Sequence, residues 1–165
     1  MLFNSPEFFV FLGIVSILYH VLAKKGVDFQ NVLLLLASYV FYAFWDWRFL
    51  SLIIISSLTD YYTGMAIYYS QTKKKKKLYL LVSLLVNLGI LGFFKYFNFF
   101  IESLQGAFGS TNIPLHFTSL NIILPVGISF YTFQTLSYTI DIYRGKINPT
   151  KNIVAFFTFV AFFPQ

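Results

Sequence analysis

Cysteine is absent from these 165 residues, which excludes a disulfide framework and any thiolate metal site. Histidine occurs only twice, and no His-Glu-x-x-His pattern is present, so no metal site is expected. No glycine-rich phosphate loop is present either. Charge is scarce: only 11% of residues are Asp, Glu, Lys or Arg, less than half of the roughly 25% of an ordinary soluble domain. What fills the chain instead is apolar. Hydrophobic residues make up 58%, with 22 Phe and 12 Tyr. Such a chain would not stay solvated as a disordered coil, and it lacks the polar surface of a water-soluble globule. The net charge of +6 could suggest nucleic acid in a soluble protein. Here the basic residues sit between long apolar runs, which points to a bilayer as the partner and away from nucleic acid.

A membrane-crossing helix needs about 20 mostly apolar residues. Candidates lie at residues 8–23, 31–45, 49–69, 78–101 and 121–143, and residues 153–163 form an apolar start of a further one. The runs Leu33-Leu34-Leu35-Leu36 and Ile53-Ile54-Ile55 do not alternate as barrel strands must. The expected fold is therefore all-α and polytopic, with five full spans plus the start of a sixth. The first run is not read as a cleaved signal peptide, because Glu7 precedes it and Lys24-Lys25 follow it.

Ten of the twelve Lys and Arg fall in alternate loops, at Lys24-Lys25, at Lys73-Lys74-Lys75-Lys76-Lys77, and at Arg144, Lys146 and Lys151. Basic loops stay in the cytoplasm, so the N-terminus is expected outside. The lysine run reads first as a topogenic loop, with recognition of anionic lipid as the alternative. The eleven residues 153–163 reach only about 16 Å, half of the hydrocarbon core. We therefore expect residues 1–165 to be the N-terminal part of one longer membrane domain.

Ionisable groups inside a membrane are functional candidates by default. Asp60 shares a helical face with Ser56, Thr63 and Gly64, a face that must look inward, either as packing glue or as cavity lining. Tyr131, Gln134, Tyr138 and Asp141 continue from Gly127 at spacings of four, three, four and three, drawing a polar stripe along one helix. Arg144 stands three residues beyond Asp141, within pairing distance on a helix. Lys95 lies in an aromatic belt, where snorkelling can rescue it. His20 and His116 have no carboxylate positioned to orient them as a catalytic base. The stripe alone is compatible with a transporter, a channel or an intramembrane enzyme, and a transporter or flippase-like subunit is the alternative we retain.

Several segments together resemble the membrane-bound O-acyltransferase family, and within it the bacterial alginate O-acetyltransferase branch. They are Met1-Leu2-Phe3-Asn4-Ser5, Ala37-Ser38-Tyr39-Val40-Phe41-Tyr42-Ala43, Phe94-Lys95-Tyr96-Phe97-Asn98-Phe99-Phe100, and above all Leu124-Pro125-Val126-Gly127-Ile128-Ser129-Phe130-Tyr131-Thr132-Phe133-Gln134 with Ser137-Tyr138-Thr139-Ile140-Asp141-Ile142-Tyr143-Arg144-Gly145. The resemblance continues to Phe162-Phe163-Pro164-Gln165. It implies a bacterial inner-membrane enzyme whose spans surround a tunnel. An acyl group would pass from a cytoplasmic donor, such as acetyl-CoA or a carrier-linked acyl group, to hydroxyls of an extracytoplasmic polysaccharide. It also implies extracytoplasmic acyltransferase partner proteins and no tightly bound cofactor. The family's catalytic His lies beyond residue 165, so the resemblance transfers no catalytic residue to this chain. Tyr131, Gln134, Tyr138, Asp141 and Asp60 remain as candidates for tunnel lining or interior polar contacts.

Overall fold

The computed structural model describes residues 5–108 and 127–163. Every regular element among them is a helix: α1 (Pro6–Ala23), α2 (Val27–Tyr69), α3 (Lys73–Phe108), α4 (Ile128–Tyr143) and α5 (Ile153–Ala161). The helix starts follow local chemistry. Ser5 accepts a hydrogen bond from the Phe8 amide at 3.3 Å, and Pro6 occupies the first turn of α1, where its missing N–H has no cost. Asn152 caps α5 in the same way, accepting from the Ala155 amide at 3.1 Å. Gly127 and Gly145 bracket α4 with φ of 80° and 71°, in the left-handed region that only glycine adopts freely.

Four segments are long and apolar enough to cross a membrane: Pro6–Ala23, Val27–Phe44, Leu50–Tyr69 and Lys73–Tyr96. They match the first four expected spans. Of the fifth, α4 supplies residues 128–143, while 121–126, Pro125, His116 and most of the expected outer loop lie outside the described residues.

The expected loop between the second and third spans is not a loop. The helix assignment continues through residues 45–49, a stretch that contains neither Gly nor Pro to break it. The helix is nevertheless folded back on itself. Asp28 accepts from the Asn152 side chain at 3.0 Å, and the Tyr61 hydroxyl donates to the neighbouring Lys151 carbonyl at 2.9 Å. Residues 28 and 61 would lie about 50 Å apart in a straight helix, yet both touch adjacent residues of one loop. Between the two halves the Ser51 hydroxyl donates to the Arg48 carbonyl at 2.6 Å. The two halves of α2 thus serve as two antiparallel spans.

This fold-back gathers three loops at one end. Gln30 donates to the Tyr19 carbonyl at 3.3 Å and holds the α1–α2 turn closed. The Tyr138 hydroxyl accepts from the Thr150 amide at 3.1 Å and holds the α4–α5 loop against α4. The basic residues 24–25, 73–77, 144, 146 and 151 therefore share one end of the bundle.

The second half of α2 is the central column: 44% of Leu50–Tyr69 is buried, against 11–17% for the other three spans. Around it Ile53, Leu91, Ile128, Tyr131, Phe156 and Val160 form one apolar core. Phe8, Val15, Ala37, Phe41 and Phe163 form a second, in which Phe8 meets Phe41 edge-on at 5.8 Å and Phe11 meets Phe163 at 5.3 Å. Such aromatic pairs add roughly 0.5–1.5 kcal/mol each beyond their buried area. Phe9, Ile14 and Ile17 of α1, Leu85 and Leu88 of α3, and Phe130 and Phe133 of α4 point outward and exposed, as a lipid-facing surface requires.

Candidate functional site

Asp60 sits wholly buried where α2, α3 and α4 meet. Its Oδ1 accepts from Ser83 at 2.5 Å and from Thr139 at 3.3 Å, and its Oδ2 accepts from Asn87 Nδ2 at 2.8 Å. Asn87 in turn accepts at Oδ1 from Ser56 and, at 3.4 Å, from Thr135. Ser56, Ser83, Asn87, Thr135 and Thr139 are all buried. In an apolar medium an unpaired carboxylate is very costly, and this one is surrounded by donors from two other helices. The inward face expected for Ser56, Asp60, Thr63 and Gly64 is the face seen. A Cβ on Gly64 would stand 3.0 Å from Ile142 Cδ1 and 3.2 Å from Tyr138 Cε1, so glycine there lets α2 and α4 approach closely. Asp60 is thus a clasp between helices, with its carboxylate oxygens occupied by neighbours.

The expected stripe on α4 divides in two. Tyr131 points into the core, 4% exposed. Gln134, Tyr138 and Asp141 are half-buried along the edge of that face. With Phe130, Phe133, Ser137, Ile147 and Phe159 they line an open groove of about 470 Å³ beside α5. Gln134 donates through Nε2 to the Phe159 carbonyl at 2.9 Å, tying α4 to α5. Asp141 pairs with Lys146 at 3.7 Å rather than with Arg144. The turn explains the exchange: Lys146 N–H donates to the Asp141 carbonyl and Gly145 N–H to Ile142, at 2.9 and 3.0 Å. These two bonds are the Schellman closure of a helix end, and they fold Lys146 back over Asp141 while Arg144 stays exposed at the cap.

The buried hydroxyls of Tyr39, Ser57, Tyr131 and Thr132, and Oε1 of Gln134, have no hydrogen-bond partner among the described residues. Unsatisfied buried polar groups are unusual and call for a reason. Tyr39 packs against the core that contains Tyr131, so the bundle interior holds hydrogen-bonding capacity that the described residues leave unused. Among the described residues no group of three His, Cys, Asp or Glu could hold a metal.

The comparisons with known proteins bear on the whole chain. Over its full length it is 41% identical to a probable alginate O-acetylase, AlgI, of Pseudomonas syringae pv. tomato, covering 32% of that protein. It is 40% identical to the probable alginate O-acetylase AlgI of Azotobacter vinelandii, covering 33% of it. This chain is homologous to the alginate O-acetylases. A peptidoglycan O-acetyltransferase of Helicobacter pylori is 37% identical over 87% of the chain and 27% of its own length. The chain thus spans between about a quarter and a third of the length of these relatives. No family model matches it, and no solved structure matches it.

Other sequence candidates take quieter places in this O-acetylase homologue. His20 is exposed and engages the Ser16 carbonyl through Nδ1 at 2.8 Å. Lys95 lies 5.6 Å from the centroid of the Tyr96 ring, an exposed cation–π contact. Gly89 and Gly92 of α3 have nothing within 4 Å of a Cβ position, so no close helix approach depends on them. What sequence reading missed is the threonine row Thr132, Thr135 and Thr139, and the pair Ser83 and Asn87. Their spacings of three and four were visible, but small polar residues in an apolar helix attract less notice than a carboxylate. Asp60 itself was the signal: a buried acid requires donors, and these rows supply them.

Proposed function

We propose that this chain is part of a membrane O-acyltransferase that moves an acetyl group from a cytoplasmic donor to hydroxyls of an extracytoplasmic polysaccharide, alginate or a cell-wall polymer. The observation that carries this reading is similarity along the whole chain to proteins named for O-acetylation of alginate and of peptidoglycan. The gathering of basic loops at one end supports a cytoplasmic placement of that end, which puts the N-terminus outside.

In the reaction, a base takes the proton of a sugar hydroxyl, whose oxygen attacks the acyl carbonyl. The tetrahedral oxyanion needs donors, and the carrier leaves with the proton. An apolar enclosure keeps water from hydrolysing the donor. Neither His20 nor any other described residue is placed as the base, and we assign that role to a segment outside these 165 residues. The present helices supply the rigid wall. Tyr131, whose hydroxyl has no partner among the described residues, and Gln134, Tyr138 and Asp141 along the groove are the polar contacts we assign to the path. Asp60 locks the three helices that hold them.

The test is the acetyl-ester content of the exported polymer in cells lacking the gene. The full-length protein should restore the esters, and residues 1–165 alone should not. Ester content unchanged by loss of the gene would refute the activity, and restoration by residues 1–165 would place the catalytic base within them.

A further inference from the structure

The lysine run 73–77 is the one strongly charged feature that an acyltransfer role leaves unused. It forms the opening of α3. A helix start carries the positive pole of the helix dipole and favours acidic residues, yet α3 has none in its first turn. Five adjacent ammonium groups stand there, four of them exposed. They surround the helix, since five consecutive positions span more than one full turn.

Nearby carboxylates do not neutralise them. Asp28 is held by Asn152, and Asp141 is paired with Lys146. None of the five lysines has an ion pair among the described residues. Orientation alone does not require this arrangement, because the two lysines at 24–25 and the three basic residues at 144–151 already mark the same end. Directly below the run, Leu78, Leu81, Val82 and Leu85 are exposed and apolar, which sets the lysines at headgroup depth. Beside them Gln71, Thr72, Lys75 and Tyr79 help line a cavity of about 360 Å³ at the α2–α3 turn. Its amide, hydroxyl and ammonium groups can donate to phosphate oxygens.

We propose that the lysine run 73–77, with the adjoining cavity at the α2–α3 turn, is a docking surface for anionic phospholipid headgroups. The inference goes beyond the acyltransferase reading and does not depend on it. The negative headgroups would offset both the mutual repulsion of the lysines and their conflict with the helix dipole.

The purified chain in mixed micelles, titrated with phosphatidylglycerol and phosphatidylcholine and followed by native mass spectrometry, tests this. The unaltered protein should retain phosphatidylglycerol preferentially. Gln at all five positions should lower that preference at least about tenfold, given the strength of lysine attraction to anionic surfaces. Arg at all five should preserve it, and Lys24→Gln with Lys25→Gln should change it far less. A headgroup-photoreactive phosphatidylglycerol on the unaltered protein should attach within residues 70–79, so the outcome does not hang on a variant that folds poorly. An undiminished preference in the five-Gln variant, attachment spread over other segments, or displacement of the lipid by equimolar inorganic phosphate would overturn the proposal, the last by pointing to a soluble phosphate ligand.

Discussion

Replacing Asn87 by leucine removes the hub of the buried network while keeping the number and branching of side-chain heavy atoms. Asp60 would lose one donor, and the hydroxyls of Ser56 and Thr135 would lose their shared acceptor. Three contacts between helices disappear. Hydrogen bonds between membrane helices average about 0.6 kcal/mol and reach about 1.7, which gives about 2 kcal/mol for three. Removing one partner of a buried charge costs about 3–5 kcal/mol in soluble proteins, but Ser83 and Thr139 still hold Asp60, so the lower figure governs. The better helix propensity of leucine returns a few tenths. We expect Asn87→Leu to destabilise the chain by about 2 kcal/mol, read from reversible unfolding in mixed micelles. Ser137→Ala is the control. Its hydroxyl bonds only the Phe133 carbonyl of its own helix, and its loss should cost less than about 0.5 kcal/mol. Adding Asp60→Leu to Asn87→Leu should cost less than the sum of the two single changes by about 1 kcal/mol, because the stranded acid is gone. Asn87→Leu within about 0.5 kcal/mol of the unaltered chain, or strict additivity with Asp60→Leu, would refute the clasp.

Gly64→Leu should push α4 away from α2 at Tyr138 and Ile142 and destabilise by about 1–3 kcal/mol, whereas Gly64→Ala asks Ile142 Cδ1 and the anchored Tyr138 ring to give only slightly and should be milder; equal stability of the leucine variant in thermal unfolding would remove the close approach. In the full-length protein Gln134→Leu should lower polymer acetylation at normal membrane yield if the groove lies on the reaction path, while full specific activity at reduced yield would leave Gln134 only its bond to the Phe159 carbonyl. Because the chain has no cysteine, Lys75→Cys gives a single label site; it should resist an impermeant thiol reagent in intact cells and react after permeabilisation, and labelling of intact cells would reverse the orientation.

Much of this protein is determined by one-dimensional facts. Apolar runs near bilayer length without alternation dictate helices, since only internally bonded segments survive in lipid. Ser5 with Pro6, Asn152 and the glycines at 127 and 145 mark helix ends by chemistry local to a few residues. The position of Asp60, far from the charged loops, already required an inward face. Tertiary structure decided what depends on contacts between distant segments. It turned the expected loop at 46–48 into a helical fold-back, seen because residues 28 and 61, in opposite halves of α2, both bond the segment just before α5. It sent Lys146 rather than Arg144 to Asp141, because the left-handed turn at Gly145 overrides helical spacing. It also separated Tyr131 from Gln134, Tyr138 and Asp141. A periodic pattern tells which residues share a stripe, but only the neighbours of a helix decide where its buried face ends and its groove begins.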